Sequence, residues 1–205
     1  MPNLPKIGVV LGTTRPGRFA DRPAKWIMDL AKSHPDAEFE LIDLRDWPLP
    51  FFNEPVPVSR APVTDPVAQK WTQKVASLDG FLFVTAEYNH SFPAVLKNAL
   101  DYVYKEFNRK PAAYIAYGGV GGARAVEQLR LVCVELQMVP LRDAVHISRT
   151  EFVGMLMEGK DFADYPHLAQ TAGIMLSDLI WWTKALKRAR DADLKGAPVP
   201  DDDAE

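Results

Sequence analysis

The stretch IGVVLGTTRPGR, residues 7–18, decides the fold of this chain. Its first five residues form an almost unbroken apolar run, which is typical of a β-strand buried on both faces. A turn marked by Gly12 and Gly17 comes next. Behind the turn, small and apolar residues recur at the spacing of a helix: Ala20, Ala24, Ile27 and Ala31. A strand that passes through a glycine turn into a helix is the first unit of a parallel α/β sheet.

The same alternation continues along the chain. Further strands are predicted at residues 39–44, 81–84, 112–117 and 143–147. Helices are predicted at residues 65–78 behind an Asp65 cap, at 93–106 and at 162–190. A further helix is predicted after the turn at 118–122, from the apolar stripe Val126, Leu129, Cys133 and Leu136. This pattern predicts one domain over residues 1–195, with a doubly wound five-stranded parallel sheet in a three-layer α/β/α arrangement. The acidic, proline-interrupted tail at 196–205 is predicted to be disordered.

Composition excludes several classes of protein. The formal net charge of −3 argues against nucleic-acid binding, which usually needs a basic excess. The single cysteine, Cys133, cannot form an internal disulfide, and four scattered histidines offer no metal site. The chain has no apolar run long enough to span a membrane and no signal-peptide core before residue 7. We therefore expect a cytoplasmic protein without metal, nucleic-acid or membrane partners.

The segment 47–66 is rich in proline and cannot form a regular helix. We expect a long ordered loop over the surface. Loops of this length in compact domains are usually functional or disordered. No residue in the segment identifies a ligand.

Three turns follow predicted strands, at residues 12–18, 85–92 and 118–122. In a doubly wound sheet, ligands bind at the carboxyl ends of the strands, near the point where the strand order reverses. Because all three turns occupy such ends, the sequence predicts one shared ligand site.

The first turn has the chemistry of an anion site. Its backbone N–H groups can form a nest at the start of a helix, while Thr13 and Thr14 add hydroxyls and Arg15 and Arg18 add charge. A nucleotide-hydrolase loop would need Lys followed by Ser or Thr after Gly17, to bind phosphate and Mg²⁺. Those positions are Arg18 and Phe19. A phosphate monoester held without Mg²⁺ fits better, and the alternative is a plain strand–helix turn with solvated arginines.

A longer motif follows the third strand. The run EYNHSFPAVLKNALDYV, residues 87–103, resembles the P-E-Y-N-x-S-x-P-x-x-L-K-N-A-I/L-D hallmark of NAD(P)H-dependent FMN reductases. GTTRPGR, residues 12–18, resembles the G-S-x-R-x-x-S flavin phosphate loop of that family. The resemblance covers residues 5–150. Two departures are Ala86 in place of the usual proline and the Gly17-Arg18 pair in place of the second serine.

The resemblance implies a flavodoxin-like fold, an FMN cofactor and NADPH or NADH as electron donor. It implies a small acceptor, which can be a quinone, free flavin, an azo compound or a metal oxyanion, and a homodimer or homotetramer. It demands no catalytic acid or base and no metal. The residues expected to bind cofactor are Thr13, Thr14, Arg15, Gly17, Arg18, Glu87, Tyr88, Asn89, Ser91, Gly118, Gly119 and Val120.

The chemistry of a flavin ring suits these residues. An isoalloxazine needs a flat apolar wall and a few donors and acceptors along its pyrimidine edge. We expect the backbone amides of residues 87–89 to supply donors and the Tyr88 ring to cover one flank. For Asn89 and Ser91, local hydrogen bonds at a helix N-terminus remain an alternative. The glycines at 118–122 admit either close approach of a ligand or a tight packing turn.

Two other functions remain open at this point. A non-enzymatic flavodoxin-like electron carrier would use the same fold, although such carriers are usually more acidic than this chain. A P-loop phosphotransferase would require Mg²⁺-dependent nucleotide binding at the first turn.

Overall fold

A computed structural model describes residues 4–194, and in this range five parallel strands form one sheet in the order β2-β1-β3-β4-β5. The strands are β1 (Lys6–Leu11), β2 (Glu38–Asp43), β3 (Gly80–Ala86), β4 (Pro111–Tyr117) and β5 (Val139–Ile147). This is the strand order of flavodoxin-like folds, so the predicted fold class is confirmed. The predicted tail at 196–205 lies outside the described residues.

In the described part of the chain, six α-helices cover the two faces of the sheet. They are α1 (Asp21–Ala31), α2 (Pro66–Ala76), α3 (Ala94–Asp101), α4 (Ala123–Glu135), α5 (Arg149–Met157) and α6 (Pro166–Leu194). Buried residues of α2, α3 and α4 form a hydrophobic cluster on one face, and those of α1, α5 and α6 form a second cluster on the other. Within residues 4–194, no helix has both the length and the apolar character that a membrane crossing requires.

Local signals place several helix starts as predicted. The Asp65 side chain accepts hydrogen bonds from the amides of Val67 and Ala68, at 2.8 and 2.9 Å, and so caps α2. Pro66 occupies the first position of that helix, where its missing N–H removes no hydrogen bond. Pro23 lies in the first turn of α1, where a proline is likewise tolerated.

Other boundaries were wrong. The predicted helix 93–106 ends at Asp101, because the chain turns there to bury Tyr102, Val103 and Phe107 in the core. The fifth strand begins at Val139 rather than at residue 143. Because β5 is an edge strand, Pro140 can occupy it without removing a needed hydrogen bond.

Two features near the C-terminus also differ from the prediction. Helix α5 was missed, because its apolar residues do not follow the helical period and Gly154 lies in its middle. The last helix starts at Pro166, after a short 3₁₀ turn at Phe162–Asp164, and extends to Leu194.

The proline-rich segment is a loop, as predicted, and α3 holds it. The Asn98 side chain accepts from the amide of Phe52 at 2.9 Å and donates to the carbonyl of Pro50 at 2.7 Å. Further along, the Glu54 carboxylate accepts from the amide of Thr64 at 2.8 Å and bridges the loop internally. These contacts give residues 47–65 a defined path without helix or strand.

The register of the sheet brings the strand ends together. Leu11 at the end of β1 lies opposite Asp43 of β2 and Val84 of β3. Tyr117 at the end of β4 lies opposite Ala86 of β3 and Ile147 of β5. The turns after β1, β3 and β4 therefore leave the sheet at one edge.

Candidate functional site

The three turns contact one another at this edge. The Arg15 guanidinium carbon of the first turn lies 6.0 Å from the ring centroid of Tyr88 in the second. The amide of Glu87 in the second turn donates to the carbonyl of Tyr117 at 3.0 Å, just before the third. A Cβ added to Gly118 would lie 3.1 Å from the Glu87 Cβ. The three turns thus form one continuous surface.

Backbone donors are free in the first turn. Among the described residues, the N–H groups of Thr13, Thr14, Arg15 and Gly17 donate to no protein acceptor. Gly17 has a φ of +63° and open space around its Cα. Successive free N–H groups in such a turn attract an anion.

Two buried hydroxyls lie near the same turn. The Thr13 Oγ1 and the Tyr117 hydroxyl are both buried, and neither has a hydrogen-bond partner among residues 4–194. Burial raises the pKa of Tyr117 to about 12, against the weaker opposing influence of the Thr13 hydroxyl. Tyr117 therefore stays neutral at physiological pH, as a polar group without charge.

The two arginines of the first turn have different surroundings. The Arg18 guanidinium binds Asp43, with Nη1 to Oδ1 at 2.7 Å, as well as Asp21 and the Thr13 carbonyl. Burial alone would raise the pKa of the Asp43 carboxyl. The hydrogen bonds from the Arg18 side chain and the Arg45 amide have the larger combined effect and lower the pKa below its usual value. Arg15 is exposed and, within the described part of the chain, forms no ion pair. Contact of Arg18 with a phosphate stays a prediction, since its guanidinium already binds protein groups.

Phe19 occupies the position at which a nucleotide-hydrolase loop has its Mg²⁺-binding hydroxyl. Its ring is 5% exposed and packs edge-on against Tyr117 and Phe152, with centroids 5.0 and 4.8 Å apart. The side chain anchors the first turn to α5 and has no atom that can bind Mg²⁺.

The second turn is a tight two-residue reversal. Tyr88 and Ser91 exchange backbone hydrogen bonds of 2.8 and 3.1 Å, and Asn89 and His90 between them have φ values of 50° and 74°. Both central residues are left-handed, as in a type I′ turn.

This geometry corrects one expectation about donors. The amides of Glu87 and Tyr88 already donate to the carbonyls of Tyr117 and Ser91, so they are not free for a ligand. In residues 4–194, the amides of Asn89 and His90 have no protein acceptor. Of the expected donors at 87–89, only Asn89 is available, and His90 joins it.

Helix α4 supports the second turn through two residues that sequence reasoning missed. Arg124 Nε donates to Glu87 Oε1 at 2.6 Å, and the Arg124 amide donates to Glu87 Oε2 at 3.2 Å. Gln128 donates to the His90 carbonyl at 2.8 Å and accepts from the Ser91 hydroxyl. Arg124 and Gln128 lie four residues apart on one face of α4, so both reach the second turn.

The glycines of the third turn serve two purposes. A Cβ on Gly122 would lie 2.5 Å from the Ala116 Cβ, so this glycine is needed for packing and for its φ of +68°. Gly119 has nothing within 4 Å of an added Cβ, and Val120 is 50% exposed. Among the described residues, the amides of Gly119 and Val120 have no backbone acceptor. Packing thus explains one end of the turn and leaves the other end open to a ligand.

A cavity of about 330 Å³ opens beside the first turn. It lies between that turn, the proline-rich loop and α3, and its walls are formed by Thr14, Leu44, Arg45, Trp47, Pro48, Leu49, Val95, Asn98 and Ala99. The loop that the sequence left without a role therefore forms one wall of a space next to the predicted phosphate site.

The fold and the three turns define a class of protein, the flavodoxin-like α/β proteins with a ligand site at the carboxyl edge of the sheet. Residues 5–151 match the family model of NADPH-dependent FMN reductases, and the chain belongs to this family. It is an oxidoreductase that uses FMN and NAD(P)H, so the predicted family, class of reaction and cofactors are confirmed.

Individual relatives agree with this assignment. An NAD(P)H-dependent FMN reductase of Schizosaccharomyces pombe is 38% identical over 153 residues, covering 73% of this chain and 76% of the relative. A 2-hydroxy-1,4-benzoquinone reductase of a Burkholderia species is 38% identical over 143 residues, which cover 65% of this chain and 73% of the relative. The flavoenzyme FerB of Paracoccus denitrificans superposes with a TM-score of 0.69 at 20% identity, covering 89% of this chain and 98% of FerB, and it supports the fold.

Proposed function

We propose that this chain binds FMN across its three turns and passes electrons from NAD(P)H to a small quinone-type acceptor. The observation that carries the proposal is the set of unpartnered backbone amides that all three turns present at one edge of the sheet. FMN, when bound, supplies the redox chemistry, and the protein supplies binding and orientation.

The first turn is proposed to hold the 5′-phosphate. The exposed amides of Thr14, Arg15 and Gly17 would donate to it, together with the Thr14 hydroxyl, and the fully buried Thr13 would act by shaping the turn. Arg15 adds an exposed positive charge, which lies over the Tyr88 ring. Arg18 would act through the backbone, because it binds the Thr13 carbonyl and ties the turn to Asp43. A single phosphate monoester fits this donor set without a metal ion.

The second and third turns are proposed to hold the ring. The Asn89 and His90 amides would face its pyrimidine edge, and the half-buried Tyr88 side chain would cover a flank. Gly118, Gly119 and Val120 would approach from the other turn, where Gly119 leaves open space. Glu87 and Ser91 would act by fixing the turn, since their side chains bind Arg124 and Gln128.

A quinone is the favoured acceptor because curated relatives include a benzoquinone reductase and quinone oxidoreductases. Free flavin, azo compounds and metal oxyanions remain the other candidates that the family resemblance implies. A flavin enzyme that hands on electrons needs no acid–base side chain of its own for the transfer from NAD(P)H. For this reason we assign no residue of the chain as catalytic.

Assembly as a homodimer or homotetramer is part of the proposal. Large apolar side chains are exposed on two helices, with Leu131 and Val134 on α4 at 69% and 60% and Trp181 on α6 at 62%. Exposed apolar clusters on a small protein favour association. Sedimentation equilibrium distinguishes the assembly from a 22.9 kDa monomer.

Steady-state turnover tests the function. NADPH oxidation by the FMN-loaded protein is measured with 1,4-benzoquinone, free FMN, an azo dye and chromate in parallel. The proposal predicts the highest kcat/KM with the quinone. Bound FMN that NADPH cannot reduce would instead identify an electron carrier, and turnover confined to a different acceptor would reassign the substrate class.

A further inference from the structure

Gln128 on α4 contacts the second turn and lies outside every motif that the sequence singled out. We propose that Gln128 is a positioning residue for FMN, whose carboxamide fixes residues 88–91 so that the Asn89 and His90 amides face the cofactor. The inference rests on the proposed function, because it assigns those amides to the flavin.

The turn needs external support because of its backbone. Asn89 and His90 are consecutive left-handed residues, with φ values of 50° and 74°, and neither is glycine. Residues with side chains are disfavoured in this region, Asn less so than His. Only the two hydrogen bonds between Tyr88 and Ser91 close the turn from within its backbone. Side-chain contacts from a neighbouring element can offset the strain.

The Gln128 carboxamide makes two such contacts. Its Nε2 donates to the His90 carbonyl at 2.8 Å, and its Oε1 accepts from the Ser91 hydroxyl. Because a carbonyl only accepts, the amide nitrogen must face His90, and the amide oxygen is left for Ser91. One side chain thus holds the last two residues of the turn on either side of the peptide bond that joins them.

The neighbouring contact on α4 makes Gln128 a suitable residue to test. Arg124, one helical turn earlier, binds the Glu87 carboxylate, whose side chain is 4% exposed. Removing Arg124 would leave the buried Glu87 carboxylate without a counter-charge and would destabilise the folded protein. Gln128 is neutral and half-buried, so its truncation leaves that ion pair intact.

The test compares Gln128→Ala and Gln128→Glu with Glu127→Gln, a control at an exposed neighbouring position on α4. Gln128→Glu keeps an acceptor for Ser91 but loses the donor to the His90 carbonyl. We expect both Gln128 variants to raise the Kd for FMN by about tenfold, the size of one lost hydrogen bond. Amide hydrogen exchange at Tyr88 and Ser91 should accelerate in the FMN-free protein. The midpoint potential of bound FMN should become more negative, because misplaced donors stabilise the electron-rich form less.

A double-mutant cycle separates positioning from general damage. Ser91→Ala removes the partner hydroxyl without touching α4, and combining it with Gln128→Ala should add little to the effect of Gln128→Ala alone. Unchanged Kd, exchange and potential in the Gln128 variants would overturn the inference and leave the proposed function standing. Failure of the unmodified protein to bind FMN would overturn both.

Discussion

Arg18 and Asp43 form an ion pair that joins the turn after β1 to the last residue of β2. Nη1 of Arg18 lies 2.7 Å from Oδ1 of Asp43, and the arginine side chain is 1% exposed. The same guanidinium binds the Thr13 carbonyl, so the pair fixes the backbone whose amides are proposed to hold a phosphate. Arg18, which the sequence predicts to bind the ligand, thus also holds the turn in place through protein contacts.

Replacing Asp43 with Asn should lower the free energy of unfolding by about 2 kcal/mol, because the buried Arg18 guanidinium loses one of its two carboxylate partners and keeps only Asp21. Urea unfolding followed by circular dichroism measures the change. Asp29→Asn is the control, since Asp29 pairs with Lys25 and Lys32 at the surface. The urea midpoint of this variant should equal that of the unmodified protein. Equal effects of the two substitutions would refute the structural role given to the pair.

The same pair should contribute to acid sensitivity. The pKa of Asp43 is lower in the folded than in the unfolded chain, so its stabilising contribution is complete above the unfolded value of about 3.9. It is lost as the pH falls through the folded value. Between about pH 5 and pH 2, the unfolding free energy of the unmodified protein should fall more steeply than that of Asp43→Asn. Parallel curves would contradict the assignment.

Arg15 should act on the phosphate of FMN rather than on its ring. We expect Arg15→Ala to raise the Kd for FMN by about tenfold, the size of one charged contact at the protein surface, and to leave the Kd for riboflavin unchanged. Fluorescence titration of both ligands measures this difference. Lys32→Ala removes an equal charge at the far end of α1 and should affect neither ligand. A matching loss of riboflavin affinity would place Arg15 at the ring instead.

Lys110 lies just before β4, at the end of the sheet opposite to the three turns. Burial lowers the pKa of its ammonium group to about 8, although the group donates to the carbonyl of Val75 at 2.9 Å. Because the folded pKa lies below the unfolded one, this group stabilises the folded state increasingly as the pH rises from 8 to about 10.4. Over that range, the unfolding free energy of the unmodified protein should rise relative to that of Lys110→Met by up to about 3 kcal/mol. If the two unfolding free energies keep a constant difference over this range, the pKa of Lys110 is not lowered by burial.

Local patterns predicted much of the fold, because strands, caps and turns depend on neighbouring residues. Asp65 capped α2 as its spacing to the helix indicated. Contacts between distant positions were not predictable in this way. Asp43 lies 25 positions from Arg18, and Gln128 lies 37 from Ser91, so no window of sequence joins them. The left-handed pair Asn89-His90 also lacks the Asn-Gly signature of a type I′ turn.

Anaerobic titration of the purified protein with NADPH tests the central claim most directly. We predict a yellow protein with stoichiometric FMN, whose flavin absorbance disappears on adding NADPH and returns on adding 1,4-benzoquinone. A colourless protein that does not take up FMN, or a bound flavin whose spectrum NADPH leaves unchanged, would contradict the account.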